Sequence, residues 1–298
     1  MRVLVSGASG LIGPATINYL QAAGHDVVRL VRTTSSDTGV RWDPAAGKID
    51  RAALHGIGAV IHLAGESIAE GRWTRRKKAR IRDSRVRGTR LLCEALARLL
   101  DRPAVLVSAS AMGYYGDRGD EVLREESPPG SGFLADVCRE WEAAADPARE
   151  AGIRVVHLRS GLVLSALGGA LARMITPFKL GVGGTIGDGR QYMSWVSLDD
   201  LVGVIRHALE NEGLEGPVNA VAPNPVTNAE FTRALGKALS RPTVFRMPAR
   251  IARLALGEMA EDLLLASARL VPARLLACGF TFRHPDIESA LRHVLRGG

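Results

Sequence analysis

Long apolar runs are missing from this chain of 298 residues. A helix that spans a membrane needs about 20 consecutive apolar residues, and even the glycine- and leucine-rich stretch from Gly161 is interrupted by Arg173 and Lys179. The N-terminal MRVLVSGASG lacks the long apolar core and the small-residue cleavage site of a secretory signal. The sequence therefore predicts no membrane association and no export.

Cysteine is also scarce, with three residues that are odd in number and widely spaced: Cys93, Cys138 and Cys278. They offer neither a disulfide framework nor a Cys-x-x-Cys ligand pair, which is typical of a protein in the reducing cytoplasm. None of the seven histidines has the spacing of a metal-ligand pair, and we interpret His62 as a hydrogen-bonded core imidazole. The sequence predicts a cytoplasmic protein without a metal site.

Basic charge is abundant but concentrated in one place. The chain has a net charge of +8 and a pI near 9.9, yet residues 72–90 alone carry +9, which leaves −1 for the remainder. A phosphate backbone could be the partner of this segment. Its one aromatic residue, Trp73, and the absence of a nucleic-acid motif make nucleic acid an unexpected partner. If 74–90 is helical, Ile81, Ser84 and Gly88 share one face of the helix, and most of the charged side chains are then solvated. We expect this helix to lie near the entrance of a cleft that binds an anionic ligand.

Short, continuously apolar runs alternate with stretches of helical length such as Ile12–Ala23 and Thr89–Leu100. Strands buried on both faces have this pattern, and its alternation with helices predicts an α/β fold with a doubly wound parallel sheet. The predicted strands are Arg2–Ser6, Asp26–Val31, Ala59–Ala64, Ala104–Ala109, Ile153–Leu158 and Gly216–Ala222.

The regular alternation ends after about residue 161, where glycine-rich loops begin. We predict a nucleotide-binding domain over residues 1–165, to which a strand near 216–222 returns. A smaller substrate-side lobe would follow over 166–298, mainly helical from about residue 242 and including Ile251–Leu256 and Asp262–Val271.

The strongest motif is Gly7-x-x-Gly10-x-x-Gly13, directly after the first strand and before the first helix. Gly7 permits a tight turn, Gly10 lets a pyrophosphate approach the backbone, and Gly13 lets the helix pack on the sheet. Helical N–H groups would then face the diphosphate. The spacing predicts a dinucleotide site that includes these glycines together with Ser9, Leu11 and Ile12.

The residues at the end of the second strand indicate whether the site prefers NAD(H) or NADP(H). An NAD site places an acid there to accept from the ribose 2′-hydroxyl. Here Arg32 and Thr33 occupy that place, and the first acid is Asp37. A guanidinium and nearby hydroxyls suit a 2′-phosphate, so the sequence predicts NADP(H), unless Arg32 is a plain surface residue.

Beyond the glycine loop, His62-Leu63-Ala64-Gly65-Glu66 and the run Ser108–Gly116 resemble the extended short-chain dehydrogenase/reductase superfamily and its NAD(P)-dependent epimerase/dehydratase-like family. Gly71-Arg72-Trp73-Thr74 and Arg82–Val86 narrow the resemblance to the 39U branch, and Gly257-Glu258-Met259 resembles the DUF1731 C-terminal region. The resemblance covers essentially the whole chain. It implies a Rossmann-type domain and a C-terminal substrate lobe, with Leu63, Ala64, Gly65, Glu66 and Ser108 at the cofactor.

The superfamily's catalytic Tyr-x-x-x-Lys pair is absent. No tyrosine has a lysine four residues later, and the pair's expected place holds Phe133 or Leu134 followed by Val137 or Cys138. By resemblance Ser110 matches the catalytic Ser/Thr, and Tyr114 or Tyr115 could replace the missing tyrosine. The alternatives are a turn-bonding hydroxyl for Ser110 and packing roles for both tyrosines. Cys138 is a weaker candidate nucleophile, since a lone helical cysteine is usually buried.

The remaining candidates are Arg190 and two acid-containing motifs. Arg190 lies in a glycine-rich loop that, in the resembling family, borders the substrate cleft, although a surface role is equally open. We interpret Ser197-x-x-Asp200 and Thr227-x-x-Glu230 as helix caps.

The sequence predicts an NADP(H)-binding oxidoreductase or epimerase acting on a small carbonyl or hydroxyl compound, or a degenerate NADP(H) sensor or scaffold. Because the superfamily often dimerises, the resemblance also allows a homodimer.

Overall fold

The computed structural model describes residues 1–32 and 38–296, in which strands and helices alternate along the first two thirds. The strands are β1 (Arg2–Ser6), β2 (Asp26–Arg32), β3 (Val40–Asp43), β4 (Lys48–Ile49), β5 (Ala59–His62), β6 (Val105–Ala111), β7 (Val122–Leu123), β8 (Arg154–Ser160), β9 (Leu162–Leu164), β10 (Gly184–Ile186), β11 (Tyr192–Met193), β12 (Trp195–Ser197), β13 (Gly216–Ala220), β14 (Val226–Thr227), β15 (Phe245–Met247) and β16 (Arg269–Leu270). The helices are α1 (Ile12–Ala22), α2 (Arg75–Ala97), α3 (Phe133–Ala143), α4 (Asp146–Glu150), α5 (Gly169–Lys179), α6 (Leu198–Glu210), α7 (Asn228–Leu239), α8 (Ala249–Leu256), α9 (Glu258–Ala260), α10 (Ala273–Ala277) and α11 (Ile287–Arg296).

The central sheet has the strand order β13-β8-β6-β5-β1-β2-β3-β4. All neighbouring pairs are parallel except β3–β4 at one edge. One apolar layer packs α1 and α6 on the sheet, and the opposite layer packs α2 and α4. The prediction of a doubly wound, Rossmann-type sheet is confirmed. The strand order reverses between β1 and β5, and a ligand crevice is expected there at the carboxyl ends of the strands.

Helix α2 starts earlier than the sequence indicated, because Thr74 caps it by accepting a hydrogen bond from the Lys77 N–H at 3.2 Å. Ile81 and Gly88 are buried on one face and Ser84 is half-buried, as the helical pattern predicts. The expectation that most charges are solvated is confirmed, since seven of the ten cationic residues in this segment are exposed. Eight of the ten cations between residues 72 and 90 donate to carboxylates or backbone carbonyls: Arg72, Lys77, Lys78, Arg80, Arg82, Arg85, Arg87 and Arg90.

The C-terminal part has its own core between α5, β12, α7 and α11. The predicted helix Asp262–Val271 was wrong: a π-helical turn covers Glu261–Leu265, and the chain then extends into β16, which pairs with β7. The cause lies at Ser267. Its N–H donates to Asp117 Oδ1 at 3.0 Å, and its carbonyl accepts from the Arg118 N–H at 2.8 Å, so the backbone bonds another segment instead of a helix.

Both helix caps are present. Ser197 Oγ accepts from the Asp200 N–H at 3.0 Å at the start of α6, and Thr227 with Glu230 forms a reciprocal capping box at the start of α7. The Glu230 carboxylate therefore serves the start of α7, whereas the Asp200 carboxylate accepts from Ser197 Oγ and from the N–H groups of Arg283 and His284. Within residues 1–32 and 38–296, no helix combines the length and apolarity that crossing a membrane requires.

Candidate functional site

The glycine loop between β1 and α1 is built as its spacing predicts. Gly7 has φ +69°, and a Cβ there would lie 2.7 Å from the Leu63 carbonyl carbon at the end of β5. A Cβ on Gly13 would lie 2.3 Å from the Gly7 oxygen. Gly10 donates its N–H to that oxygen at 3.0 Å, and Ser9 and Gly10 are exposed. The loop thus leaves an open, side-chain-free surface that fits a diphosphate.

Helix α1 begins at Ile12, and no side chain in the described residues caps its N-terminus. Its first N–H groups therefore remain free for an anion. The Leu11 side chain points to the start of α5, where a Cβ on Gly169 would lie 2.9 Å from Leu11 Cδ2. The glycine loop consequently contacts the C-terminal part of the chain through Leu11, whereas Ile12 packs against the core of the sheet.

Arg32 ends β2 and is exposed. Strands β1 and β2 are parallel, and Leu30 lies opposite Ser6. Arg32, two residues further along β2, therefore lies beside the first residues of the glycine loop. Thr33, the other residue expected at the ribose, lies outside the described residues. Arg32 is thus an exposed cation at the carboxyl end of the strand that neighbours β1.

A buried hydrogen-bond chain supports the floor of this crevice. Ser6 Oγ lies 2.7 Å from His62 Nδ1 and accepts from the N–H groups of Leu63 and Ala64 at 3.0 and 3.2 Å. His62 Nε2 lies 3.0 Å from Thr89 Oγ1 in α2. Burial lowers the pKa of His62 to about 4, so the ring is neutral, and one of its nitrogens donates while the other accepts between Ser6 and Thr89. The interpretation of His62 as a satisfied core imidazole is confirmed.

The segment after β5 is fastened to α2. Glu66 Oε1 accepts from Lys77 Nζ at 2.8 Å and from Arg80 Nε at 3.0 Å. The hydrogen bond from Lys77 lowers the pKa of Glu66, with burial acting in the opposite direction and Arg80 adding to the decrease. Glu66 was predicted at the cofactor, but its carboxylate holds this loop to α2, and its backbone N–H donates to Ser84 Oγ at 3.0 Å.

Sequence analysis missed Arg85 as a site residue. Its Nη1 donates to the carbonyls of Glu66 and Ile81 at 3.0 and 3.1 Å, and a Cβ on Gly65 would lie 3.2 Å from its Cζ. Nη2 makes no hydrogen bond to any part of the chain that the structure describes. A half-buried guanidinium therefore lies directly beneath Gly65 with donors to spare. The signal available in the sequence was only its place in the Arg82–Val86 stretch.

Ser110 belongs to a buried ionic network at the end of β6. Its hydroxyl donates to Glu142 Oε1 at 2.7 Å, and Arg159 donates to both oxygens of Glu142 at 2.8 Å. Burial alone would lower the pKa of Arg159, but the hydrogen bonds and charge of Glu142 outweigh it and raise that pKa. Ser108, predicted at the cofactor, is fully buried within β6, which pairs with β5 on one side and β8 on the other.

The two tyrosines occupy different environments. Tyr115 is completely buried, donates to Asn219 Oδ1 at 2.8 Å and accepts from Arg159 Nη1 at 2.9 Å. Burial raises the pKa of Tyr115 to about 12, and both sides of its hydroxyl are occupied, which fits a packing role. Tyr114 is half-buried, with the Arg159 guanidinium carbon 3.4 Å from its ring centre. Of the pair, Tyr114 is the one that retains an accessible surface.

Helix α3 begins where the superfamily's Tyr-x-x-x-Lys pair was expected from the sequence. A Cβ on Gly113 would lie 3.2 Å from Leu134 Cβ and 3.9 Å from Cys138 Sγ, so Leu134 and Cys138 face the end of β6. Burial raises the pKa of the Cys138 thiol to about 12, which leaves it unreactive as a nucleophile. Near Leu134, burial together with the charge of Glu258 raises the pKa of the Asp262 carboxyl, and the Leu134 backbone acts in the opposite direction. Sequence reasoning missed Asp262, because it was expected within a helix of the C-terminal lobe.

Arg190 lies in the turn between β10 and β11, where its N–H donates to Asp188 Oδ1 at 3.0 Å. The residue is exposed, and its guanidinium bonds nothing within residues 1–32 and 38–296. The next residue, Gln191, is buried and ties the turn to the segment after α9 through the Leu264 carbonyl at 2.9 Å. Arg190 is therefore presented on an anchored turn, apart from the ionic network at Ser110.

Comparison with known proteins places these features in one family. The model of the NAD-dependent epimerase/dehydratase family matches residues 3–221, and that of the domain of unknown function DUF1731 matches residues 247–294. An epimerase family protein of Mycobacterium bovis is 45% identical over 98% of this chain and 97% of its own.

Two solved structures are similar over nearly all of this chain. The human epimerase family protein SDR39U1 (isoform 2) with NADPH has a TM-score of 0.91 and 34% identity over 100% of both chains. A nucleoside-diphosphate sugar epimerase from Corynebacterium glutamicum has a TM-score of 0.82 and 40% identity, over 99% of this chain and 58% of that one. With its glycine loop, sheet order and C-terminal region thus matched, the chain belongs to the NAD-dependent epimerase/dehydratase family.

Proposed function

We propose that the protein is an NADP(H)-dependent oxidoreductase of the epimerase type that acts on a small carbonyl or hydroxyl compound, with sugar nucleotides among the candidate substrates. The observation that carries the proposal is Arg32 at the carboxyl end of β2, beside an open glycine loop. A guanidinium there attracts a 2′-phosphate, whereas the acid of an NAD site would repel it. The human relative with 34% identity was solved with NADPH, which supports this choice.

Arg85 would be the second cation of the cofactor site. Its guanidinium lies beneath Gly65, at the switch point between β1 and β5, and two of its nitrogens have donors left over. In the superfamily a lysine on α3 holds the nicotinamide ribose, and here Cys138 faces that place. A guanidinium supplied from α2 would provide the missing donor to the ribose hydroxyls.

Ser110 would form a hydrogen bond with the substrate oxygen, and Glu142 determines whether the Ser110 hydroxyl donates or accepts in that bond. A hydroxyl has one proton, and that of Ser110 is donated to Glu142. Ser110 Oγ therefore keeps its lone pairs for a hydrogen bond from a substrate hydroxyl that would reach this buried position. A bound nicotinamide supplies or accepts a hydride. Ser110 can pass a substrate proton toward Glu142, and Asp262 offers a second carboxyl beside the vacant tyrosine position.

The remaining candidates would contribute to substrate binding. Tyr114, held flat against Arg159, would form part of the cleft wall. Arg190, exposed on its anchored turn, would bind an anionic or polyhydroxylated group. Tyr115, with its hydroxyl fully engaged, would support this wall from behind.

The cofactor assignment is tested by titrating tag-free protein with NADPH and with NADH and following cofactor fluorescence. We expect NADPH to bind at least about tenfold more tightly, and the Arg32→Ala variant to lose that preference, since a charge-assisted phosphate contact is worth roughly 1.5–3 kcal/mol. Arg29→Ala, an exposed arginine on the same strand, is the matched control and should retain it. Tighter binding of NADH by the unmodified protein would refute the assignment.

A second function, an NADP(H) sensor or scaffold without turnover, is favoured by one observation: Leu134 and Cys138 face β6 where the superfamily has its tyrosine and lysine. The two functions separate in a reaction panel of small aldehydes, ketones and sugar nucleotides followed by NADPH absorbance. Turnover that Ser110→Ala abolishes without changing NADPH affinity supports the enzyme. NADPH binding without turnover across the panel supports the sensor.

A further inference from the structure

Three metal-ligating side chains meet on the surface where α11 packs near α6. They are Asp199 in the first turn of α6, His284 ahead of α11 and His293 within α11. One potential ligand atom from each lies within 4.8 Å of the others. The proposed cofactor chemistry does not involve any of the three, and 85 residues of sequence separate Asp199 from His284.

The present contacts already bring the ligand atoms together. His293 Nε2 lies 2.7 Å from Asp199 Oδ2, and the rings of His284 and His293 stack with their centres 4.3 Å apart and an angle of 24° between their planes. The side chains of Asp199 and His293 are 46% and 51% exposed, so an ion can enter from solvent.

The backbone that carries these side chains is anchored. The N–H groups of Arg283 and His284 donate to the two carboxylate oxygens of Asp200 at 2.7 and 3.1 Å, and Asp200 is itself part of the cap of α6. Helix α11 is fixed to the C-terminal core by buried Ile287 and Leu291. Because the backbone is already held in place, ordering the three side chains around an ion costs less conformational entropy.

We propose that Asp199, His284 and His293 form a site for a divalent transition-metal ion, with Zn²⁺ as the best match. Two imidazoles and one carboxylate with an open fourth position for water are a usual zinc ligand set, with metal–ligand distances of about 2.0–2.2 Å. Ligand atoms at the corners of a zinc tetrahedron lie about 3.3 Å apart, so the His293–Asp199 contact of 2.7 Å would widen slightly and the His284 ring would turn toward the ion. Imidazole ligands select Zn²⁺, Cu²⁺ or Ni²⁺ over Ca²⁺ and Mg²⁺. The ion would clasp α11 to α6, away from the glycine loop.

The test uses tag-free, metal-stripped full-length protein titrated with ZnCl₂ by calorimetry, with thermal unfolding as a second readout. We expect one saturable site and a rise in Tm of about 5 °C when free Zn²⁺ is about 100-fold above Kd. MgCl₂ and CaCl₂ should leave Tm unchanged. Cobalt substitution should give the visible absorption of a tetrahedral site.

His284→Asn and His293→Asn should each lose saturable binding and the Tm rise, while His55→Asn, at an exposed histidine outside the cluster, should keep both. Circular dichroism verifies that each variant is folded, and the cobalt spectrum reports the site in any variant whose Tm has moved. Zinc binding that survives the paired His284→Asn and His293→Asn changes overturns the proposal. So does an unmodified protein without saturable binding, in which His293 and Asp199 are simply an ion pair.

Discussion

Arg159 binds both carboxylate oxygens of Glu142, through Nε and Nη2 at 2.8 Å each. The side chains are 3% and 13% exposed, so the pair is largely removed from water. Burying two charges costs free energy that their attraction only partly returns. The pair therefore does more than stabilise: it fixes the carboxylate that receives the Ser110 proton and lays the guanidinium on the Tyr114 ring.

Glu142→Ala should destabilise the protein by about 3–5 kcal/mol, because it leaves the Arg159 charge buried without a partner. Urea unfolding followed by tryptophan fluorescence measures the change. Glu140→Ala is the matched control, on the same helix with the exposed partner Arg82, and should cost less than about 1 kcal/mol. Equal losses in the two variants would contradict the assigned role of the buried pair.

Gly7→Ala should destabilise the protein and abolish cofactor binding, because the residue needs a positive φ and its Cβ would collide with the carbonyl of Leu63. Gly24 has a similar φ of +79°, but nothing lies within 4 Å of a Cβ there. Gly24→Ala should therefore cost only the backbone strain, about 1–2 kcal/mol, and keep NADPH affinity. Thermal unfolding and NADPH titration compare the two; unchanged binding in Gly7→Ala would exclude this loop as the phosphate site.

His62 should make stability depend on pH. Its pKa falls from 6.5 to about 4 on folding, so between these values the unfolded chain binds the extra proton. The contribution of His62 to the free energy of unfolding is therefore fully present above pH 6.5. It decreases by about 3 kcal/mol as the pH falls toward 4.

In denaturant titrations at pH 7 and pH 4.5, His62→Asn should flatten this dependence, although it lowers stability at pH 7. His55→Asn, at an exposed position, should leave the slope as in the unmodified protein. His157, whose pKa burial also lowers, is present in both variants and contributes equally. An identical slope in His62→Asn would show that the ring is not held neutral.

Arg85→Gln should weaken NADPH binding by about tenfold or more, since it removes a charged donor beneath Gly65. Arg87→Gln, on the same helix with its guanidinium on the exposed Ala45 carbonyl, should change the affinity by less than about twofold. Fluorescence titration gives both constants. Equal affinities for the two variants would remove Arg85 from the cofactor site.

The sheet was predictable from sequence because its strands are buried on both faces. Val3, Leu4 and Val5 have no exposed surface, and such runs stand out against the amphipathic helices. The glycine loop was predictable for the same local reason, since its spacing and its flanking elements lie within a dozen residues.

What sequence reasoning missed depends on contacts between distant segments. Arg85, Asp262 and the partners of Ser110 are defined by neighbours on other elements, and nothing in their local sequence distinguishes them from surface residues. The helix expected over Asp262–Val271 failed for a related reason: Ser267 donates its N–H to Asp117 and accepts from the Arg118 N–H, and these bonds outweigh the local helical pattern.

The edge strand β13 comes from beyond residue 165, yet it completes the sheet beside β8. Its Asn219 accepts from Tyr115 and donates to the Val271 carbonyl, so one side chain joins three distant parts of the chain. A fragment ending near residue 165 would expose the flank of β8 and lose these bonds. We therefore expect the chain to unfold in a single cooperative step. Fragments produced by cutting the chain near residue 165 should not fold separately and should aggregate.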